Sequence, residues 1–287
     1  IHSVKRGAWS DATTWDCQCI PAAGDMVQVH HEVGLSEDAN CNSLTVTSSG
    51  HLFDVADATL TLGGDLVALG SLALDGVHLT FIGEGTDHTM AAHAEMARLL
   101  ANPGTSLSIE GNVVVTERAT ADNAIITVAP EGSLTLGNGP LGRASALRPG
   151  TGEIIGLVTR EIILPATANH GTLNTVEQRI SLGLEGVTVD QFVGDIPTWG
   201  FDGADSSEGW SNLGYWDVNS AWSYKQIPSI HDSLPVVQGI YLALAPAESY
   251  TLTFEGTLPG KEVALDVPAD LYPAVFGNAL NAPYNLN

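Results

Sequence analysis

Ser43-Leu-Thr-Val46, Ala58-Thr-Leu-Thr-Leu62, Asp65-Leu-Val-Ala-Leu69, Ser71-Leu-Ala-Leu-Asp75 and His78-Leu-Thr-Phe-Ile82 follow one another with little between them but Gly, Asp and Ser. Leucine at every second position marks a strand with one face buried and one in water. The same grammar returns in Ser106-Leu-Ser-Ile109, Val113-Val-Val115, Ala124-Ile-Ile-Thr-Val128 and Ser133-Leu-Thr-Leu136, with a loose period of roughly twenty residues. Repetition of one short supersecondary unit is how a solenoid is written. Small aliphatic side chains suit its narrow interior, where each coil stacks on the next. The expectation is a parallel β-solenoid, with a plain β-sandwich as the alternative.

Working outward, one segment breaks the pattern. Met90 to Ala101 contains Ala91-Ala-His-Ala-Glu-Met-Ala-Arg-Leu-Leu100, rich in helix formers and followed by Pro103 and Gly104. It reads as a short helix covering a solenoid flank. Residues 1 to 150 hold only Trp9, Trp15, Phe53 and Phe81 as Trp, Tyr or Phe, whereas the remainder holds all six tyrosines and most of the other rings. Two architectures follow: a solenoid over 1–150 and an aromatic-rich antiparallel β domain, sandwich-like, over 151–287, with strands such as Gly239-Ile-Tyr-Leu-Ala-Leu244 and Tyr250-Thr-Leu-Thr-Phe254.

The chain has 287 residues, 44% of them hydrophobic and 15% charged, which is enough to bury a core and excludes a disordered tail or a disulfide knot. The apolar runs are too short for a transmembrane helix. Thirty-three acidic residues face ten basic ones, a formal charge of -23, and Lys5, Lys225 and Lys261 are scattered. No basic footprint for nucleic acid is present, and membrane insertion is not expected. The first residue is Ile1, without an initiator Met or an apolar leader, so the chain reads as the mature form of an exported protein.

The opening Gly7-Ala-Trp-Ser-Asp-Ala-Thr-Thr-Trp15, then Cys19-Ile-Pro-Ala-Ala-Gly-Asp-Met-Val27, resembles the start of many secreted bacterial β-solenoid and surface proteins. Two tryptophans plug an open solenoid end, and Pro21 and Gly24 turn the chain into its first strand. The second half resembles the C-terminal region of Bacteroidetes cell-surface proteins exported by the type IX route. The similar stretches are Gly152-Glu-Ile-Ile-Gly-Leu-Val-Thr-Arg160, Arg179-Ile-Ser-Leu-Gly-Leu184, Gly200-Phe-Asp-Gly-Ala-Asp205, Gly239-Ile-Tyr-Leu242, Phe254-Glu-Gly-Thr-Leu258 and Phe276-Gly-Asn-Ala-Leu-Asn-Ala-Pro-Tyr284. The family's closing Gly-Asn-Pro-Tyr-Pro-Ser is interrupted here at Gly277-Asn278 and Pro283-Tyr284. The resemblance implies secretion, surface display, adhesion or matrix building more often than catalysis.

Cys17, Cys19 and Cys41 in an exported chain allow one disulfide and one leftover thiol. The resemblance favours Cys17 with Cys41, a loop worth about 3 kcal/mol in the chain-entropy model. Cys19 with Cys41 is the alternative, and a Cys-x-Cys metal site lacks its other half. No cofactor is required by this reading, although Asp202, Asp205 and Glu208 stand in a Gly-rich loop that suits calcium. His30 and His31 are adjacent, and His88 and His93 are five apart, so they read as packing or surface histidines. No nucleophile elbow or phosphate loop occurs. For a solenoid polysaccharide lyase, Arg118, Arg143 and Arg148 are the nearby bases.

Trp199, Trp210, Tyr215, Trp216, Trp222 and Tyr224 cluster in sequence. Trp210, Trp216, Trp222 and Tyr215 are the candidates for stacking on a sugar or burying in a partner. Ser233, in Asp232-Ser233-Leu234, matches the short O-glycosylation sequence that the resemblance makes relevant. The Ala-Asn-Pro-rich tail carrying Phe276, Pro283 and Tyr284 is expected to dock on a neighbouring subunit. The expected function is a non-enzymatic, self-assembling structural or adhesive protein of the cell exterior, whose partners are copies of itself. A carbohydrate-binding module is the alternative, and a lyase a weaker one.

Overall fold

The computed structural model describes residues 1–139, 142–143, 145–148, 150–164, 166, 176–217, 223–236, 240–244 and 248–260. Two compact units divide the chain, Ile1–Val158 and Thr159–Asn287. The first unit therefore runs past position 150, because the strand Glu153–Ile155 still pairs with the solenoid.

The first unit is a parallel β-solenoid of about six turns. One face is laid down by Met26–Val29, Ser43–Val46, Leu66–Ala68, Asp87–Ala91, Ser106–Ile109, Ile125–Val128 and Glu153–Ile155. A second is built by Glu32–Leu35, His51–Asp54 and the opening halves of Ser71–Phe81, Ala94–Ala101 and Asn112–Ala121, then Ser133–Leu136. The third comprises Ala39–Cys41, Thr59–Leu62, the closing halves of those three long strands, and Ser145–Leu147.

Register explains why alternating leucines give this fold. On the first face Val27, Leu44, Leu66, Met90, Ile109 and Val128 stand one above another. On the third, Ala39, Leu60, Leu79, Leu99, Ala119 and Ala146 do the same, beside Cys41, Leu62, Phe81, Ala101 and Ala121. Nearly all are fully buried. Each buried Val, Leu, Ile, Met or Phe side chain contributes about 1.5–3 kcal/mol, and a slip of one residue would turn a whole column into water.

Corners are fixed by small residues and aspartates. Asp38 Oδ1 accepts from Thr59 N at 2.8 Å, Asp54 Oδ2 from Gly76 N at 3.0 Å, and Asp65 Oδ1 from Thr89 N at 2.8 Å. Each carboxylate binds a backbone N–H of the next coil, a charge-assisted stitch between turns. Gly111 lies so close under Ala92 that a Cβ would collide with its backbone.

The segment 90–101 is not a helix. It forms the strands Asp87–Ala91 and Ala94–Ala101, in parallel register with coils on both sides. Its alanines carry weak helical preference, but Ala92, Ala94, Ala97 and Ala101 are buried where the coil interior has room for little more than a methyl group. Pairing on both edges outweighs propensities of a few tenths of a kcal/mol per residue.

Ahead of the first coil, His2 bridges Gln28 and Gly7–Ala8 pairs with Val33–Gly34, so the N-terminal segment adds a partial rung. Trp9 and Trp15 are buried edge to face, with ring centroids 5.1 Å apart, and Trp15 Nε1 donates to Trp9 O at 2.8 Å. Asp11 caps the short 3-10 turn Ala12–Thr14. Hydrogen bonds from the Thr13 hydroxyl and backbone N–H hold its carboxyl below the usual range.

The cysteines correct the expected pairing. Cys17 is bonded to Cys19, and Cys41 is a free, buried thiol. Cys41 belongs to an inward column above Leu62, whereas Cys17 and Cys19 are exposed. A ring this small restrains the unfolded chain by only about 1.6 kcal/mol. Burial pushes the Cys41 thiol up to about 12, with the nearby Asp25 charge adding to the effect.

In the second unit, Val176–Ile180, Ile240–Leu244, Leu213–Asp217 and Ser223–Gln226 form an antiparallel sheet in that order. Val158–Leu164 neighbours Tyr250–Gly256, whose residues alternate between buried and exposed. Phe254 meets Phe192 of the 3-10 turn Val189–Phe192, with ring centroids 5.5 Å apart.

Candidate functional site

The loop from Thr198 to Asn212 carries the candidate residues Asp202, Asp205, Glu208 and Trp210, and its own hydrogen bonds fix it. Thr198 donates from N and from Oγ1 to Asp205 Oδ2, both at 2.9 Å, and its Oγ1 accepts from Asp205 N at 3.1 Å. Gly200 N donates to Ser206 O, and Ser206 N donates to Thr198 O. At the base, Asn212 is 1% exposed. Its Oδ1 accepts from Trp199 N at 2.9 Å, and its Nδ2 donates to Pro197 O at 2.8 Å and Ala243 O at 3.3 Å. Gly200 has φ +83°, and a Cβ there would strike the backbone of Trp210. The loop therefore closes only with glycine at that position.

Trp210 lies next to the base of this loop and is 83% exposed. An indole has 150–250 Å² to bury and gains nothing for the fold when left in water. Beside it in sequence, Asp202 and Glu208 are exposed carboxylates. A flat apolar ring on a preorganised loop that also carries exposed acceptors has the elements of an anchor for a partner surface or a sugar face.

The remaining sequence candidates fall as follows. Tyr215 is half-buried in Leu213–Asp217, on the same strand as Trp216, whose backbone pairs with Tyr224. Trp222, Phe276, Pro283 and Tyr284 lie outside the described residues. The structure does not gather Asp202, Asp205 and Glu208: no group of three or more His, Cys, Asp or Glu suited to a metal occurs among the described residues. Asp205 is committed to Thr198, and Asp202 ties the loop through its backbone to Pro228 and Ile230. Ser233 is exposed and bridges Thr188.

His88 is 3% exposed and points into the column of Leu107, Ile126 and Ile154. Its Nε2 meets Thr86 Oγ1 at 2.9 Å. Thr86 Oγ1 gives its one proton to Gly83 O, so His88 is the donor in that pair. Arg148 is half-buried, and desolvation lowers its pKa against the opposing pull of Glu153. Arg118 stands exposed on the third solenoid face.

His78, Arg98 and Arg118 occupy the same column of the third face on successive coils. Their spacing of twenty residues, equal to the repeat, was the signal that could have found them. The chain matches no family model, no curated protein and no solved structure. Among the described residues no helix is long and apolar enough to cross a membrane.

Proposed function

We propose that this chain is a non-enzymatic structural and adhesive protein of the cell exterior that associates with copies of itself. The observation that carries the reading is Trp210, exposed on a loop whose backbone is fixed by its own hydrogen bonds. In this reading the stacked solenoid is the stiff part, because each turn is bonded to its neighbours along three faces, and the second unit, completed as a sandwich-like antiparallel domain, presents the contact. The tail bearing Phe276, Pro283 and Tyr284 docks on a neighbouring copy. Secretion by the type IX route and O-glycosylation at Ser233 belong to the same reading.

Negative-stain electron microscopy of the full chain, with calcium and with chelator, tests it. Regular filaments or sheets support assembly, and their loss in chelator assigns calcium to junctions involving Asp202 and Glu208. Uniform single particles in every condition contradict it. A second reading, a carbohydrate-binding protein, is favoured by exposed carboxylates close in sequence to the Trp210 ring, since a saccharide offers an apolar face rimmed by hydroxyls. Glycan-array binding that vanishes in Trp210→Ala, with the protein monomeric, would establish it in place of the first.

A further inference from the structure

The three solenoid faces do not share the chain's acidity. The first carries Asp87 and Glu153 in its strands, and the second Glu32, Asp54 and Glu95. The third has its outward residues in two files, Asn40, Thr61, Thr80, Leu100 and Thr120 in one, and Thr59, His78, Arg98 and Arg118 in the other; the acids beside it are Asp38, which precedes the first rung and is bonded to Thr59 N, and Glu117, at the bulge ahead of Arg118. In a chain with 33 acidic and ten basic residues, these two files, from Asn40 and Thr59 onward, hold no Asp, Glu or Lys and carry two arginines on adjacent rungs.

Adjacent rungs are about 4.8 Å apart, so the two guanidinium stems stand at a spacing that is unfavourable for like charges. Arg98 is relieved by Glu117, Nε to Oε2 at 2.8 Å, a residue set at the corner beside the face. Arg118 is exposed and makes no ion pair among the described residues. Nothing in the fold asks for it there: the inward neighbours Ala119 and Ala121 hold the rung. Depletion of Asp, Glu and Lys with retention of Arg is the composition of a protein interface rather than of free surface.

We infer that the third solenoid face is a docking surface for the acidic face of a second copy of this chain, with Arg118 as its charged anchor. The inference rests on the self-association proposed above and adds to the Trp210 contact a second surface, on the solenoid itself. Charge complementarity selects the partner: Asp87 and Glu153 are exposed on the first face, so one copy's acidic face meets the next copy's basic one. Such a contact joins two different patches head to tail, so its rotation decides between a closed ring and an open filament. The face spans five rung steps, roughly 25 Å, by three to four residues. That is less than the ~800 Å² per partner of a standard interface, so each contact is weak, concentration-dependent and sensitive to salt.

Size-exclusion chromatography with light scattering, on the full chain at low and high salt, tests the assignment with Arg118→Glu and Thr120→Asp. Both positions face outward, and unchanged circular dichroism melts establish that the variants fold. Association of the wild type at low salt, reduced tenfold or more in apparent affinity by either substitution and recovered when Arg118→Glu is mixed with Asp87→Arg/Glu153→Arg, supports the inference. Wild-type association that survives both substitutions overturns this face and leaves the self-association reading standing. A wild type that stays monomeric throughout overturns both. Arg118-dependent binding of monomers to alginate or dextran sulfate assigns the face to an acidic glycan instead and overturns the proposal.

Discussion

Leu99 and Leu100 are consecutive, yet Leu99 is fully buried between Leu79 and Ala119 while Leu100 faces outward and is half-buried. Truncating Leu99 to Ala removes its transfer energy and leaves a hole between two rungs that are pinned by backbone bonds on both sides. Relaxation is therefore limited, and the cost is about 3–4 kcal/mol, within the range for buried leucines. Truncating Leu100 forfeits a partly exposed surface contact and costs about 0.5–1 kcal/mol. Urea unfolding of both variants, followed by far-UV circular dichroism, measures the difference at unchanged slope. Two successive leucines on a helix flank lie only about 100° apart and would divide the loss more evenly. Equal destabilisation by the two substitutions would refute the strand assignment for this segment, and with it the pairing of the middle coils.

Three further outcomes are expected. Under native conditions a thiol reagent finds no reactive cysteine, and after unfolding without reductant it finds one, Cys41; a native count of one, or Cys41 recovered in a disulfide-linked peptide, contradicts the arrangement. Because the Cys41 thiol is pushed up to about 12 in the fold, its contribution is complete below the unfolded thiol's ordinary range and is lost as pH rises through the folded value; stability therefore declines on the alkaline side, and Cys41→Val removes that part of the slope. Gly111→Ala costs about 1–3 kcal/mol through its collision with Ala92, whereas Gly24→Ala, with open space around the new methyl, is neutral; parity between them would contradict the stacking.

Much of the solenoid was legible because its physics is local in sequence. Leucine or valine at every second position reports a half-buried strand, and Gly, Asp and Ser between them report corners, including those where Asp38, Asp54 and Asp65 bind the next coil. Trp9 and Trp15 were readable as a plug, being bulky rings before the first strand of an aliphatic repeat. The helix over 90–101 was misread because alanine and methionine favour helices in isolation, while here their small or adaptable volumes fit the stacked interior. That constraint arises from residues twenty positions away and appears only once the coils are aligned. Cysteine pairing failed for the same reason: the phase of Cys41 within its strand points it inward, away from Cys17. At the candidate site the clustered aromatics were visible, but not which ring the loop exposes. That choice depends on Asn212 and Gly200, whose roles come from backbone partners rather than from any motif.

Sedimentation velocity of the full-length chain over a wide concentration range, at low and at high salt, bears most directly on the central claim that this solenoid works by meeting its own copies. The account predicts sedimentation coefficients that climb with concentration at low salt and collapse to a single slow boundary when the ionic strength is raised. One monomer boundary, unchanged across every concentration and salt, would contradict it.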